Sequence, residues 1–147
     1  MPARGWSLDN PIGAFMVDQS NKNIQSIADL LANLSKEDFC YLTTNGRVSG
    51  RPHQIEIWFG SQNSSIYLMA GGHGSDWVKN LLKDPNVTVK IAKHDFIGTA
   101  RLVNNEQEEM KARHMLADKY KEREDDGSLS EWASTALPVA IDLKGGE

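Results

Sequence analysis

The sequence has little cysteine, with Cys40 alone among 147 residues. One thiol cannot form a disulfide within the chain, which excludes a disulfide-stabilised framework and favours a reducing compartment. The N-terminal region has no apolar run long enough for a signal peptide or a membrane span, so we expect a cytoplasmic protein without an integral membrane segment. Basic residues are not in excess either, since 16 Lys and Arg against 20 Asp and Glu give a net charge of −4 at pH 7. We therefore expect no nucleic-acid partner.

The motifs of several enzyme classes are also missing. The four histidines, His53, His73, His94 and His114, show no HxH or HExxH spacing, so we expect no metal site. Cys40 falls within a predicted strand and has no visible histidine partner, which favours a structural residue over a nucleophile. There is no GxSxG elbow, Walker loop or GxGxxG fingerprint, so the sequence gives no signal for a hydrolase or a nucleotide-binding motif.

The composition that is present, 39% hydrophobic and 24% charged, is typical of one globular domain. Two-residue alternation and turn signals predict strands at 38–44, 53–59, 65–70, 87–92, 95–103 and 137–143, with a polar turn at 60–64. Helices are predicted at 23–36, at 76–83 and from 104 to a stop at 124–127.

This order of elements lacks regular βα crossovers, which favours a closed or split barrel over a doubly wound sheet. We predict an α+β protein built on a mainly antiparallel six-stranded split β-barrel with flanking helices. We assign an N-terminal arm to 1–21 and the barrel domain to 22–147. Whether the arm covers a ligand site or a partner subunit stays open.

The connection between the first two predicted strands has the composition of an anion site. It carries Arg47, Ser49 and Arg51, and His53 follows directly. Asn45 and Gly46 tolerate positive φ and predict the turn at its start. Arginine presents a planar fork that suits phosphate and carboxylate. The alternatives, solvated loop charges and a half-buried strand histidine, remain open at this point.

A second anion-binding position is predicted where a glycine-rich stretch at 71–74 leads into the short helix. Ser75 is placed as the N-cap, and a helix N-terminus offers unpaired N–H groups with the positive end of the helix dipole. Trp77 follows directly and can pack beside a flat ring. From the residues alone, the prediction is a β-barrel that binds a phosphorylated small molecule, with no reaction specified.

Two stretches together resemble a known family. Residues 42–52 read LTTNGRVSGRP, and they are followed by SDWVKNL at 75–81 and DPNVTV at 84–89. This combination resembles the deazaflavin-dependent nitroreductase and quinone reductase family, whose members are split β-barrels related to the pyridoxamine phosphate oxidase-like flavoproteins. The resemblance continues through 99–101 and 137–141, and so covers roughly 27–143.

The resemblance implies an oxidoreductase that passes a hydride from reduced coenzyme F420 to a quinone, nitro or enone acceptor. In such enzymes the cofactor carries the chemistry, so no catalytic side chain is assigned. The positions that match the family's cofactor contacts are Arg47, Val48, Ser49, His53, Ile55, Ala70, Gly71, Gly72, Trp77 and Asn80. Those implied on the acceptor side are Trp58, Tyr120 and Trp132. A homodimer, by analogy with related barrels, and peripheral membrane contact are further expectations.

Three departures from the family pattern affect the cofactor assignment. Val48 stands where a lysine is common, the glycine-rich loop at 71–74 is shorter and lacks its lysine, and Glu56 replaces an apolar residue. Fewer positive charges weaken the attraction for the polyglutamylated tail of F420. An FMN-binding barrel oxidoreductase and a non-catalytic flavin-binding or ligand-binding protein therefore stay as alternatives.

Overall fold

The computed structural model describes residues 19–72 and 74–146. The arm predicted at 1–21 lies almost wholly outside these residues, and only 19–21 are described, as the start of a helix. No helix of the described residues combines the length and apolar character needed to cross a bilayer. The elements in chain order are α1 (Gln19–Leu34), β1 (Cys40–Asn45), β2 (Pro52–Ile57), β3 (Gly60–Gln62), β4 (Ser65–Ala70), α2 (Asp76–Lys83), β5 (Asn86–Ile91), β6 (His94–Leu102), α3 (Glu106–Tyr120), α4 (Glu131–Thr135) and β7 (Leu137–Gly146).

The strands form one antiparallel sheet in the order β2-β1-β5-β6-β7-β4-β3. A flat sheet of this size would be roughly 29 Å wide, at about 4.8 Å per strand spacing. Ile57 ends one edge strand and Gly60 begins the other, and three residues of chain reach at most about 11 Å. The sheet must therefore curl until its two edges meet at this corner, which confirms the predicted α+β antiparallel split barrel.

The strand count differs from the fold prediction. The stretch predicted as a polar turn at 60–64 contains β3, because Gly60, Ser61 and Gln62 pair with Tyr67, Ile66 and Ser65. Seven strands are present in place of six. The strand state of this polar segment is imposed by pairing with β4 and is not signalled by its own residues.

The barrel interior is filled by alternate strand residues and by one face of α1. Ile27, Leu31 and Leu34 of α1 are buried in the same cluster as Leu42 of β1 and Phe96 of β6. Their spacing of four and three residues is the pattern that predicted this amphipathic helix. The helix begins at Gln19, four residues before the predicted start.

A second, smaller core lies on the outer face of β4 and β7. Its residues are Tyr67, Met69, Ala112, Leu116, Ala136 and Ala140, so α3 and α4 cover this side of the sheet. The predicted stop of α3 at 124–127 is wrong, since the helix ends at Tyr120. Lys121 takes the left-handed conformation at φ 59, and its N–H donates to the carbonyl of Ala117. That geometry ends a helix whatever the downstream sequence.

An ion-pair network attaches the first turn of α3 to the sheet. The Arg101 guanidinium donates to both oxygens of Glu108, at 2.8 and 2.7 Å, and its Nε donates to Asp142 at 2.7 Å. The Tyr67 hydroxyl donates to Glu108 at 2.6 Å. These hydrogen bonds from Arg101 and Tyr67 lower the pKa of Glu108 from 4.5 to about 2. Burial and the neighbouring Glu108 carboxylate raise the pKa of Tyr67 to about 12.

We expect Glu108→Gln to lower the free energy of unfolding by about 1–2 kcal/mol at neutral pH, since the pair is partly exposed to solvent. A carboxyl whose pKa is depressed in the folded state stabilises above its unfolded pKa and loses that effect as the pH falls. The difference between wild type and variant should therefore shrink from about pH 4.5 towards pH 2. Urea unfolding at stepped pH measures it. Glu106→Gln, an exposed acid of the same helix turn, is the control, and an equal difference for it would contradict the assignment.

Candidate functional site

The loop that joins β1 and β2 is closed by its own backbone. Gly46 N donates to the Arg51 carbonyl at 2.8 Å, and Gly50 N donates to the Gly46 carbonyl at 2.8 Å. The connection is longer than a tight turn, as the sequence predicts. Asn45 is the last residue of β1, and the residue of this connection with a positive φ is Gly50, at 73°. We call residues 46–51 the Arg47 loop.

Asn80 of α2 fixes the conformation of the Arg47 loop. Its side chain is 3% exposed, and its Oδ1 accepts from Arg47 N at 3.1 Å and from Arg47 Nη1 at 2.8 Å. Its Nδ2 donates to Thr44 Oγ1 at 3.1 Å. The resemblance implied a cofactor contact for Asn80. In the structure its amide forms hydrogen bonds with Arg47 and Thr44 and lies beneath the loop.

Two further residues of α2 hold the same loop, and the sequence analysis did not identify them. Asp76 Oδ1 pairs with Arg47 Nη2 at 3.2 Å, and Lys83 Nζ donates to the Arg47 carbonyl at 2.9 Å. Positions 76, 80 and 83 are separated by four and three residues, so they share one helix face. Trp77 and Leu81, on another face, pack into the barrel core. The sequence signal for these contacts was the polar periodicity at 76, 80 and 83, on a helix face separate from that of Trp77 and Leu81.

A small cavity of about 250 Å³ opens beside the Arg47 loop. It is lined by Gly46, Arg47, Val48, Ser49, His53, Asp76 and Asn80. A Cβ on Gly46 would come within 2.7 Å of His53 Nε2 and 2.8 Å of Ser49 Oγ, so the glycine lets both groups lie against the backbone. Five predicted cofactor residues therefore meet at one cavity, namely Arg47, Val48, Ser49, His53 and Asn80.

The polar groups around this cavity include donors with spare capacity. Ser49 Oγ accepts from Arg51 N at 3.1 Å, which leaves its hydroxyl proton available. Arg51 forms no ion pair within the described part of the chain. The Val48 side chain, where the family commonly has lysine, is 93% exposed and adds no charge. On the far side of the loop, Lys83 supplies a positive charge to a hollow of about 600 Å³.

The structure places the predicted glycine-rich site at the end of β4. Ala70 is buried, and Gly71 and Gly72 follow it towards α2. Ser75 is the N-cap, as predicted, but its side chain makes no capping hydrogen bond. The first N–H groups of α2 therefore lack that side-chain partner. His73 lies outside the described residues.

The opening in the barrel wall lies between β2 and the end of β4. The last pair between β3 and β4 is Gly60 with Tyr67, so Leu68, Met69 and Ala70 extend past β3 and pair only with β7. β2 is the free edge on the opposite side. We call the gap between these two edges the split.

A cavity of about 500 Å³ occupies the split, and we call it the aromatic pocket. It is lined by Phe39, Glu56, Ile57, Trp58, Met69, Glu122 and Trp132. Ile57 comes from one edge and Met69 from the other, so the pocket spans the gap. No sequence pattern identified Phe39, Met69 or Glu122, because distant segments bring them together only in the folded barrel.

The three predicted acceptor-side aromatics form one cluster at this pocket. Trp58 stacks on Tyr120 with ring centroids 4.2 Å apart and planes within 3°. Trp132 meets Trp58 edge-on, at 5.4 Å and 87°. Trp58 and Trp132 line the cavity, whereas Tyr120 lies behind Trp58 and does not.

Tyr120 holds the corner where the two sheet edges meet. Its hydroxyl donates to the Asp38 carbonyl at 2.7 Å and accepts from Phe59 N at 3.0 Å. Burial raises its pKa to about 12. Lys119 Nζ adds a hydrogen bond to the Phe59 carbonyl at 3.0 Å. Tyr120 therefore positions Trp58, and its hydroxyl proton is donated to a backbone carbonyl.

The inner face of β2 connects the Arg47 loop to the aromatic pocket. Ile55 and His53 pair with the buried Leu42 and Thr44, so they face the barrel interior. Ile57 lies four residues beyond His53 along the strand, a distance of about 13 Å. The half-buried Ile55 lies between the two ends. An elongated ligand with an anionic end and a flat ring has the dimensions and chemistry of this path.

Comparison with known proteins agrees with this geometry. A family model described as F420H(2)-dependent quinone reductase matches residues 18–144. The fold is similar to that of a candidate pyridoxamine 5′-phosphate oxidase from Listeria innocua, with TM-score 0.63, 17% identity and coverage of 83% of this chain and 96% of that chain.

Two further solved structures share this fold. For an F420 reductase the TM-score is 0.59, with 12% identity and coverage of 78% of this chain and 94% of that one. For an FAD-binding protein from Mesorhizobium loti the TM-score is 0.59, with 10% identity and coverage of 80% and 87%. A search of curated proteins found no match.

The family model covers all of the described strands except the last residues of β7, and it includes both the Arg47 loop and the aromatic pocket. It confirms the resemblance seen in the sequence motifs. The chain belongs to the F420H(2)-dependent quinone reductase family, and is thus an oxidoreductase with coenzyme F420 as its cofactor.

Proposed function

We propose that this protein passes a hydride from reduced coenzyme F420 to a quinone, nitro or enone acceptor, with the coenzyme tail at the Arg47 loop and its ring in the split. The observation that carries this proposal is the arrangement of two unlike sites at the two ends of β2. One end has arginine, serine and histidine groups, and the other has the exposed Trp58 indole and the half-buried Trp132 indole. They lie about 13 Å apart along the strand.

The donor set at the Arg47 loop fits an anionic tail. Arg47 keeps its fork oriented through Asn80 and Asp76, and its side chain remains 32% exposed. The Asp76 carboxylate is 85% exposed, so a phosphate or carboxylate can replace it on the guanidinium at little cost. The Ser49 hydroxyl and the Arg51 guanidinium add donors on the same loop.

The residues at the other end fit a flat ring and a second planar molecule. When bound, the coenzyme supplies the hydride. The protein's part is to orient the ring, to exclude water and to place the acceptor beside it. Trp58 is 41% exposed and is fixed from behind by Tyr120, so its indole offers a rigid surface for stacking.

A second candidate is an FMN-binding oxidoreductase or a non-catalytic flavin-binding protein. The observation that favours it is the Arg47 loop itself, because Val48 is almost wholly exposed and leaves the loop with two arginines and no lysine. A single phosphate needs fewer positive charges than a polyglutamate tail.

The test is a fluorescence titration of the purified protein with F420 and, separately, with FMN at fixed salt. We expect a dissociation constant in the micromolar range or tighter for F420, and an affinity at least about tenfold weaker for FMN. Addition of a soluble quinone to protein loaded with reduced F420 should then restore the absorbance of oxidised F420. Tighter binding of FMN than of F420 would favour the second candidate, and binding of neither would contradict both.

We further propose a cytoplasmic location, with peripheral membrane contact, and a homodimer. The support for a reducing compartment is Cys40, which is fully buried in β1 and therefore inaccessible to partners. Burial also raises the pKa of its thiol to about 12, which keeps it unreactive. Cell fractionation and light scattering of the purified chain measure the location and the oligomeric state.

A further inference from the structure

The aromatic pocket carries acidic groups that a quinone or nitro acceptor does not need. Two of its lining residues, Glu56 and Glu122, are carboxylates, and no lysine, arginine or histidine of the described residues 19–72 and 74–146 lines it. Glu56 lies near the end of β2 and Glu122 follows α3, so the two carboxylates come from separate segments of the chain. Neutral acceptors gain nothing from two nearby negative charges.

The aromatic walls have the geometry of a cation-binding box. The planes of Trp58 and Trp132 are 87° apart, so the two indoles form adjoining walls, and Phe39 lines the same cavity. The face of an aromatic ring carries negative charge density, and indole attracts cations most strongly. The aromatic ring faces and the carboxylates both attract a positively charged ligand.

The two carboxylates keep binding capacity after their contacts within the protein are counted. Ser130 Oγ donates to one oxygen of Glu122 at 2.8 Å, which fixes that side chain and leaves its second oxygen available. Glu56 is exposed, and its protein contact is the hydroxyl of Tyr41. Lys119 lies nearby, but its ammonium is directed at the Phe59 carbonyl and ring, at 3.0 and 3.7 Å, outside the pocket lining.

We propose that the aromatic pocket binds an organic cation, namely a planar heteroaromatic ring that carries a fixed positive charge. A volume of about 500 Å³ accommodates a bicyclic ring. That this cation is the acceptor of the hydride rests on the proposed function. The binding itself depends only on the pocket and is measured without cofactor.

Isothermal titration calorimetry with N-methylquinolinium tests this inference, with lepidine as the uncharged ligand of equal size at mildly alkaline pH. We expect the cation to bind at least about tenfold more tightly than lepidine. Glu56→Gln and Glu122→Gln should each weaken cation binding by about three- to tenfold and leave lepidine binding unchanged. Glu122→Gln keeps the acceptor for Ser130, so the fold should persist, as thermal unfolding can check. Glu124→Gln, an exposed acid outside the lining, is the matched control and should have no effect.

Equal affinity for the two ligands, or equal losses in the Glu124 control, would overturn the inference. Titration of the same preparations with F420 separates the two proposals. F420 binding without cation preference would remove this inference and leave the proposed function intact. Cation preference without F420 binding would support the pocket assignment and contradict the proposed function.

Discussion

Asn80→Ala should lower the affinity for F420 by about a hundredfold and the free energy of unfolding by about 2–4 kcal/mol. The substitution removes three hydrogen bonds made by a side chain that is 3% exposed. It leaves the backbone N–H of Arg47 and the hydroxyl of Thr44 without their partner. The Arg47 guanidinium then loses the orientation that suits an anion. Urea unfolding and a fluorescence titration with F420 measure the two effects.

Asn45→Ala is the matched control for this prediction. Asn45 contacts the other end of α2, where its Nδ2 donates to Asp84 Oδ2 at 2.8 Å, and this bond is exposed. Its loss should cost less than about 1 kcal/mol and leave F420 affinity nearly unchanged. If the two variants behaved alike, or if Asn80→Ala kept full affinity, Asn80 would not be the residue that organises the anion site.

Phe59→Ala should destabilise the protein by about 3–5 kcal/mol, the largest loss that we expect from one substitution. Phe59 is fully buried in the barrel core and lies in the two-residue link between the edge strands. Its backbone N–H and carbonyl are held by Tyr120 and Lys119. A cavity here therefore loosens the corner that closes the sheet, and the loss should appear as a lower midpoint of urea unfolding.

Phe59→Leu keeps most of the buried volume and serves as the control. It should cost less than about 1.5 kcal/mol, because cores tolerate volume-conserving apolar exchanges. The stacking of Trp58 on Tyr120 should survive in the leucine variant and give a near-native tryptophan emission spectrum. An alanine variant as stable as the leucine variant would show that the corner does not depend on this ring.

The parts of the fold that sequence could predict are those in which one face of an element is buried. The spacing of Ile27, Leu31 and Leu34 marks the inner face of α1, and Val87, Val89 and Ile91 mark that of β5. Burial selects apolar residues at the period of the element, so pattern and structure coincide. The grouping of Arg47, Ser49 and Arg51 in one loop was also visible in the sequence, because these residues lie close together along the chain.

The features that sequence could not predict are not signalled by the residues that form them. β3 exists because β4 pairs with Gly60–Gln62, and α3 ends early because Lys121 adopts a left-handed conformation. Asn80 and Tyr120 likewise make contacts within the protein that their local sequence does not signal. Each side chain lies near a candidate site, yet its hydrogen bonds are formed with other residues of the chain, Arg47 for Asn80 and the Asp38 carbonyl for Tyr120. The aromatic pocket combines Phe39, Met69 and Glu122 from separate segments, which no local pattern records.

The most direct test of the account compares F420 with the same deazaflavin lacking the phosphate and glutamate tail. Wild type and Arg47→Ala would be titrated with both molecules at fixed salt. If the tail lies at the Arg47 loop and the ring in the split, Arg47→Ala should weaken F420 binding by at least about tenfold. Its affinity for the tail-less deazaflavin should stay unchanged. Equal losses for both molecules, or no loss for F420, would contradict this placement of the coenzyme.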